Sequence, residues 1–149
     1  MGIRRRSWRA GLVAFAAAAA LWGCDYSYGP RNLKPGATID EVRRQMGAAT
    51  DEKRLADGTR VWWYVRGPQG YHTYRIAFDK DERVTHIDQV LTEENFRNIV
   101  AQKTTKSEVL DLLGRPRETM TFPLLKEQVW SWRYKDVTID KQLHVHFDL

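Results

Sequence analysis

The sequence predicts an α+β fold of two tandem repeats, each a helix pair packed on an antiparallel β-meander. One helix pattern occurs twice, in residues 36–47 and 103–114, at an interval of 67 residues. Each copy is followed by an aromatic strand pattern and then by a strand that ends in Phe-Asp. A pattern that recurs at a fixed interval is typical of a duplicated structural unit.

Both helix patterns carry their own start and stop signals. Each begins with a capping box, in which a Thr side chain accepts a helix N–H and a Glu three residues later reaches back. The boxes are Thr38 with Glu41 and Thr105 with Glu108. The apolar residues of each copy share one helical face: Ile39, Val42 and Met46, then Val109, Leu112 and Leu113. Gly47 and Gly114 follow, where helices commonly end.

Turn signals divide the remaining segments into strands. Asp57-Gly58 is typical of a hairpin turn, so the strands around it are expected to pair antiparallel. Strands are predicted at 51–55, 60–66, 74–79, 83–91, 117–122, 128–135 and 142–148. A connecting helix is predicted after Thr92, over 92–101. The second repeat has no counterpart of 83–91, so either its sheet is one strand short or the chain is incomplete.

Alternation along the strands predicts which aromatic side chains form the core. Trp130, Trp132 and Tyr134 alternate with polar residues and are expected to face the helices. Trp62 and Tyr64 keep this parity in the first repeat. Trp63, Val61 and Val65 point to the other face, which we predict to be an uncovered partner-binding face. The alternative is that a neighbouring loop or the tether covers Trp63.

Residues 1–23 have the pattern of a signal peptide. Four arginines precede an uncharged, mostly apolar run of 14 residues, which is shorter than the ~20 residues of a membrane span. The run ends in Leu21-Trp22-Gly23-Cys24, which resembles the lipobox of bacterial lipoproteins. Cys24, the only cysteine, is therefore the predicted lipidation site. The alternatives are a plain secretory signal with an incidental cysteine and an uncleaved membrane anchor.

The mature chain is predicted to comprise a tether at 24–34, a first repeat at 35–91 and a second, shorter repeat at 92–149. Of 24 basic residues, four lie in the signal segment, which leaves 20 against 19 acidic residues. The formal charge of +5 thus mostly reflects the targeting segment. This balance does not support nucleic-acid binding, which needs a basic patch on the folded domain.

Residues 36–91 resemble the SmpA/OmlA family of BamE-like outer-membrane lipoproteins. The matching segments are Gly36-x-Thr38-x-x-x-Val42-x-x-x-Met46-Gly47, Asp57-Gly58-Thr59, Trp62-x-Tyr64, Tyr74-x-Ile76-x-Phe78-Asp79 and Val84-x-x-Ile87-Asp88. The resemblance implies two helices packed on a three-stranded antiparallel sheet and a role beside the β-barrel assembly machinery. A tandem pair of such units is also similar to the β-lactamase inhibitor protein fold, whose joined concave sheet grips another protein.

The sequence offers little for catalysis. The single thiol lies in the lipobox, and neither a Gly-x-Ser-x-Gly element nor a Gly-rich phosphate loop occurs. His144, His146 and Asp148 share one strand face and are weighed as metal ligands against an ordinary solvated face, which is favoured. We therefore predict no enzyme, no metal or other cofactor and no small-molecule substrate.

Together these patterns predict a lipid-anchored envelope protein that binds other proteins. Its expected role, by resemblance, is to scaffold or modulate outer-membrane β-barrel protein assembly and envelope integrity. The alternative is a β-lactamase-inhibitor-like binder that grips a periplasmic enzyme with a joined concave sheet. The expected location is the periplasmic side of the outer membrane, with the inner membrane left open by Asp25.

Overall fold

The computed structural model describes residues 29–66 and 70–149. Its helices within these ranges are α1 (Ile39–Met46), α2 (Glu93–Phe96) and α3 (Lys106–Leu113). The strands are β1 (Asp51–Arg54), β2 (Arg60–Arg66), β3 (His72–Phe78), β4 (Val84–Gln89), β5 (Glu118–Phe122), β6 (Glu127–Asp136) and β7 (Ile139–Asp148). Among the described residues, no helix has the length and apolar character needed to cross a membrane.

The strands form two separate antiparallel sheets, in the orders β1-β2-β3-β4 and β5-β6-β7. On the first sheet, α1 packs against alternate residues of the strands. This core is built from Ile39, Val42, Met46, Trp62, Tyr64, Ile76, Phe78 and Val84. On the second sheet, α3 and the segment before it cover the aromatic face of β6. That core is built from Leu91, Val109, Leu113, Trp132 and Tyr134.

The predicted starts and stops of the two helices with capping boxes are confirmed. In both capping boxes the Glu backbone N–H donates to the Thr hydroxyl at 3.3 Å, and the Glu carboxylate accepts the Thr backbone N–H at 2.7 Å. Gly47 and Gly114 close α1 and α3 with φ of +73° and +74°. The starts of α1, β1, β2 and β3 recur 67 residues later as the starts of α3, β5, β6 and β7. Local capping signals and strand periodicity therefore placed these elements well.

The predicted fold class, two tandem repeats that each pack a helix pair on a meander, is wrong. The described chain is mostly antiparallel sheet, with one sheet of four strands, one of three, and few short helices. The helix after Thr92 ends already at Phe96. Asn95 contributes to this, because its amide donates to the carbonyl groups of Val90 and Leu112, at 2.9 and 3.2 Å, and asparagine is a weak helix former.

Candidate protein-binding surface

The predicted partner-binding residues lie at the junction of the two sheets. Trp63 is only 5% exposed, Val61 is also buried, and Val65 is half-buried. The end of α3 covers Trp63: a Cβ atom at Gly114 would lie 3.0 Å from Trp63 Cδ1. The prediction that this face is uncovered is therefore wrong. The prediction that Trp63, Val61 and Val65 do not belong to the core under α1 is correct. The sequence alternative named a loop or the tether as the cover, whereas the cover is a helix end.

Two ion pairs join β1 to the end of α3 beside Trp63. Lys53 pairs with Asp111 at 2.6 Å, and Arg115 pairs with Asp51 at 2.5 Å. Asp51 Oδ2 and the Trp63 indole N–H are buried here without a hydrogen-bond partner among the described residues. A cavity of about 390 Å³ lies beside them. This pocket is open to solvent and has room for water beside both groups.

A second junction contact joins the residue before β3 to the start of β7. The Tyr71 hydroxyl donates to Asp140 at 2.8 Å, and this hydrogen bond raises the pKa of Tyr71 and lowers that of Asp140. Lys135 lies 5.1 Å from the centroid of the Tyr71 ring. Burial lowers the pKa of His72, and the positive charge of Lys135 adds to this effect. These contacts fix the two sheets against each other.

The described chain exposes a group of four large apolar side chains, which we call the apolar hairpin: Met120, Phe122, Leu124 and Leu125. A smaller exposed pair, Val137 and Ile139, lies at the β6–β7 turn. Leu124 is 99% exposed and Leu125 is 68% exposed. Met120 and Phe122 are also exposed. Single exposed apolar residues are ordinary, whereas a cluster of large ones marks an interaction surface.

The local fold holds the apolar hairpin outward. Its β5 residues are exposed throughout, because β5 is an edge strand whose only described neighbour is β6. Met120 lies opposite Val129 on the sheet face that α3 does not cover. Two backbone bonds close the turn: Leu125 N–H donates to Phe122 at 3.1 Å, and Lys126 N–H donates to Pro123 at 3.2 Å. The leucines therefore sit on a hydrogen-bonded turn.

Charged residues of both signs flank the apolar hairpin, with Arg117 and Glu118 on one side and Lys126 and Glu127 on the other. Glu118 begins β5 and is exposed, and Glu127 begins β6. Glu127 is paired with His146 at 3.3 Å. Leu149 adds apolar area next to the turn, since its backbone N–H donates to Lys126 at 2.9 Å and its side chain is exposed. The surface is thus an apolar centre with a charged rim, the common arrangement of protein interfaces.

His144, His146 and Asp148 lie on the uncovered face of β7 and are exposed, as the solvated-face interpretation predicts. His144 Nδ1 is 2.8 Å from the Ser131 hydroxyl, and His146 contacts Glu127. The part of the chain that the structure describes contains no group of three residues arranged to hold a metal ion. His144 and His146 therefore each contact a polar residue of β6, Ser131 and Glu127 respectively.

Cys24, the predicted lipidation site, lies outside the described residues, as do the signal segment and the start of the tether. Comparison of the chain with protein-family models, with curated proteins and with solved structures finds no match. The resemblance to the SmpA/OmlA family therefore rests on the motifs of residues 36–91 alone.

Sequence reasoning missed the apolar hairpin, although a signal was present. Four large apolar residues fall within the six positions 120–125, around Pro123. A turn normally carries polar residues, so leucines directly after a proline in a turn are unusual. What hid the signal was the strand pattern, since alternate apolar residues in a strand are expected to face a core.

Proposed function

We propose that the protein is a lipid-anchored envelope protein that binds other proteins and thereby scaffolds or modulates outer-membrane β-barrel protein assembly. The observation that supports binding best is the apolar hairpin, which sits on a hydrogen-bonded turn and is exposed. The lipobox-like segment at Cys24 supports the anchor, and the motifs of the first sheet support the assembly role by resemblance.

The short segment between Cys24 and Gly29 would keep the folded part of the chain, and with it the apolar hairpin, close to one membrane. Cys24 precedes the first described residue, Gly29, by five positions. A chain spans at most ~3.6 Å per residue, so lipid on Cys24 would hold the start of the folded part within ~18 Å of the surface. A protein partner on the same membrane would then meet the hairpin at a raised effective concentration.

The chemistry of the rim favours a protein partner over the lipid surface. The charges of the rim balance, since Arg117 stands beside Glu118 and Lys126 beside Glu127, whereas anionic lipid surfaces attract segments with a net basic charge. Phenylalanine and methionine, in contrast, are enriched where proteins bind proteins. We therefore assign the hairpin to a protein with a matching apolar pocket.

A photo-cross-linker at position 124 of the full-length chain, in its own envelope, tests this proposal. We expect it to trap a component of the β-barrel assembly machinery. The control is the same cross-linker at Val137, which is 92% exposed in the turn at the other end of the β6–β7 pair. It should trap little. A soluble periplasmic enzyme trapped at position 124 would favour the inhibitor-like alternative, and cross-links to lipid alone would contradict protein binding.

A matched pair of variants tests the function in cells. Leu124→Glu with Leu125→Glu should leave the melting temperature nearly unchanged, because both side chains are exposed. It should nevertheless sensitise the envelope to detergents and bulky antibiotics, as we also expect of deletion of the gene. Val137→Glu should not. If the double variant is folded and fully protects the envelope, the hairpin is not the functional surface.

A further inference from the structure

We propose that a pocket between the two sheets binds a phosphate ester through arginine side chains. The pocket has a volume of about 300 Å³ and opens to solvent. Three arginines line it, Arg115, Arg117 and Arg133, and the described residues of its lining include no carboxylate. We call it the arginine pocket. It shares no residue with the apolar hairpin, so this proposal is independent of the protein-binding function.

The first sheet supplies one wall of the arginine pocket. Val65 of β2 lies opposite Thr73 of β3, and both residues line the pocket. Thr73 is a polar residue at only 1% exposure. Burying a hydroxyl is costly unless it forms a hydrogen bond. An anion in the pocket would accept such a bond from Thr73.

The segment after α3 and strand β6 supply the arginines. The Arg117 backbone N–H donates to the Ser131 carbonyl at 2.9 Å, and the Trp132 indole donates to the Gly114 carbonyl at 3.2 Å. These two hydrogen bonds hold the segment 115–117 beside β6, on which Arg133 lies. Because the walls are fixed by the fold itself, little ordering is needed when a ligand binds.

The carboxylates closest to the arginine pocket already have cationic partners. Asp51 is paired with Arg115 at 2.5 Å. Asp140 accepts a hydrogen bond from Tyr71 at 2.8 Å and lies 3.4 Å from the Lys135 ammonium group. Each guanidinium carries five N–H donors, so a contact inside the chain leaves donors for a ligand. The pocket therefore keeps a positive potential, which attracts anions.

The donors of the arginine pocket suit a phosphate group. Guanidinium groups bind phosphate through paired N–H donors. The Thr50 hydroxyl accepts the Val65 N–H at 3.0 Å and still has its own hydrogen to donate. A phosphate monoester offers three acceptor oxygens and about two negative charges, and therefore satisfies several such donors at once.

The arginine pocket also has room for the organic part of an ester. Small-molecule sites have volumes of roughly 300–1,000 Å³, and this pocket is at the lower end of that range. Trp132 and Pro116 line it and offer apolar surface next to the arginines. Glu118, the residue after Arg117, begins β5 and does not belong to the lining. A phosphate ester with a small organic group is therefore the ligand that fits.

A pair of compounds tests binding and separates a water-soluble ester from a lipid head group. The compounds are glycerol 3-phosphate and dioctanoyl phosphatidic acid, which share the phosphate monoester, and glycerol is the control. The full chain is purified in detergent, and its melting temperature is followed, because a ligand of the folded state raises it. We expect a saturable rise with glycerol 3-phosphate and none with glycerol. Tighter binding of the lipid would identify a head group as the ligand, equal binding would identify a soluble ester, and no response to either compound would overturn the proposal.

Two variants that lose the same charge locate the site. Arg133→Gln removes a pocket arginine, whereas Arg54→Gln removes an exposed arginine of β1 that does not line the pocket. We expect Arg133→Gln to weaken the binding of glycerol 3-phosphate at least tenfold, because charge-assisted hydrogen bonds are strong, and Arg54→Gln to change it less than twofold. Equal weakening would mean that the whole charge of the chain attracts the anion, and the proposal would fail.

Thr73→Val keeps the test decisive if Arg133→Gln lowers the melting temperature without ligand. Valine has nearly the shape of threonine but lacks the hydroxyl, so the wall of the pocket is retained. We expect Thr73→Val to weaken the binding of glycerol 3-phosphate several-fold. Unchanged affinity in this folded variant would contradict a phosphate group placed against Thr73.

Discussion

Gly114 lies directly against the indole ring of Trp63, so that an added Cβ atom would sit 3.0 Å from Trp63 Cδ1 and 3.2 Å from Thr73 Cγ2. Its carbonyl accepts a hydrogen bond from the Trp132 indole at 3.2 Å. One helix-terminal glycine thus contacts a buried tryptophan of each sheet. The end of α3 is consequently the joint at which the two sheets meet.

The first prediction compares Gly114→Ala with Gly47→Ala. Both glycines end a helix at nearly the same φ with an extended ψ, a combination that is costly for other residues, by ~1–3 kcal/mol. An added Cβ at Gly47 meets nothing within 4 Å, whereas at Gly114 it meets Trp63. We expect Gly114→Ala to lower the free energy of unfolding by a further ~1–3 kcal/mol, the usual cost of overpacking. If urea denaturation shows the same loss of unfolding free energy for both variants, the Trp63 side chain moves aside without cost.

The second prediction concerns the two buried tryptophans. Trp63 is 5% and Trp132 2% exposed, so Trp63→Ala and Trp132→Ala should each lower the free energy of unfolding by ~3–5 kcal/mol. Leu124→Ala is the control and should change it little, because that side chain is fully in solvent. A Trp63→Ala variant as stable as the unsubstituted chain would contradict the burial of Trp63 and favour the predicted exposed face instead.

The third prediction concerns acid stability. Hydrogen bonds from the backbone and hydroxyl of Thr38 lower the pKa of Glu41 below 4.5, and Thr105 does the same for Glu108. A carboxyl group whose pKa is lower in the folded state stabilises the fold above the unfolded-state pKa. This stabilisation is lost as the pH falls through the lowered value.

Glu41→Gln with Glu108→Gln should therefore be less stable than the unsubstituted chain at pH 7, and the difference should shrink as the pH falls below 4.5. Urea denaturation at several pH values measures it. A difference that does not depend on pH would mean that the glutamates act through shape alone, since glutamine can also occupy a capping box.

The fourth prediction concerns the anchor. Stable anchoring needs at least two acyl chains, each buried methylene contributing ~0.8 kcal/mol. Cys24→Ser should release the processed protein from the membrane or leave an unprocessed precursor, as fractionation and metabolic labelling with a fatty acid would show. A Ser variant that is processed and still carries lipid would contradict the lipobox interpretation.

The sequence by itself determined where the two capped helices begin and end. Thr38 and Glu41 start α1, Gly47 ends it, and the same signals bound α3. The pairing of β6 with β7 also follows from residue patterns. These features could be predicted because a helix cap, a turn or a strand period depends on residues only a few positions apart.

Only the tertiary structure decided which surfaces are covered. Trp63 is buried by Gly114, a residue 51 positions later in the chain, and no local pattern can report that contact. The leucines of the apolar hairpin are exposed for the opposite reason, since no other element of the described chain folds over them. Burial is a property of the packed layers, so apolar side chains become core at Trp63 and stay exposed at Leu124.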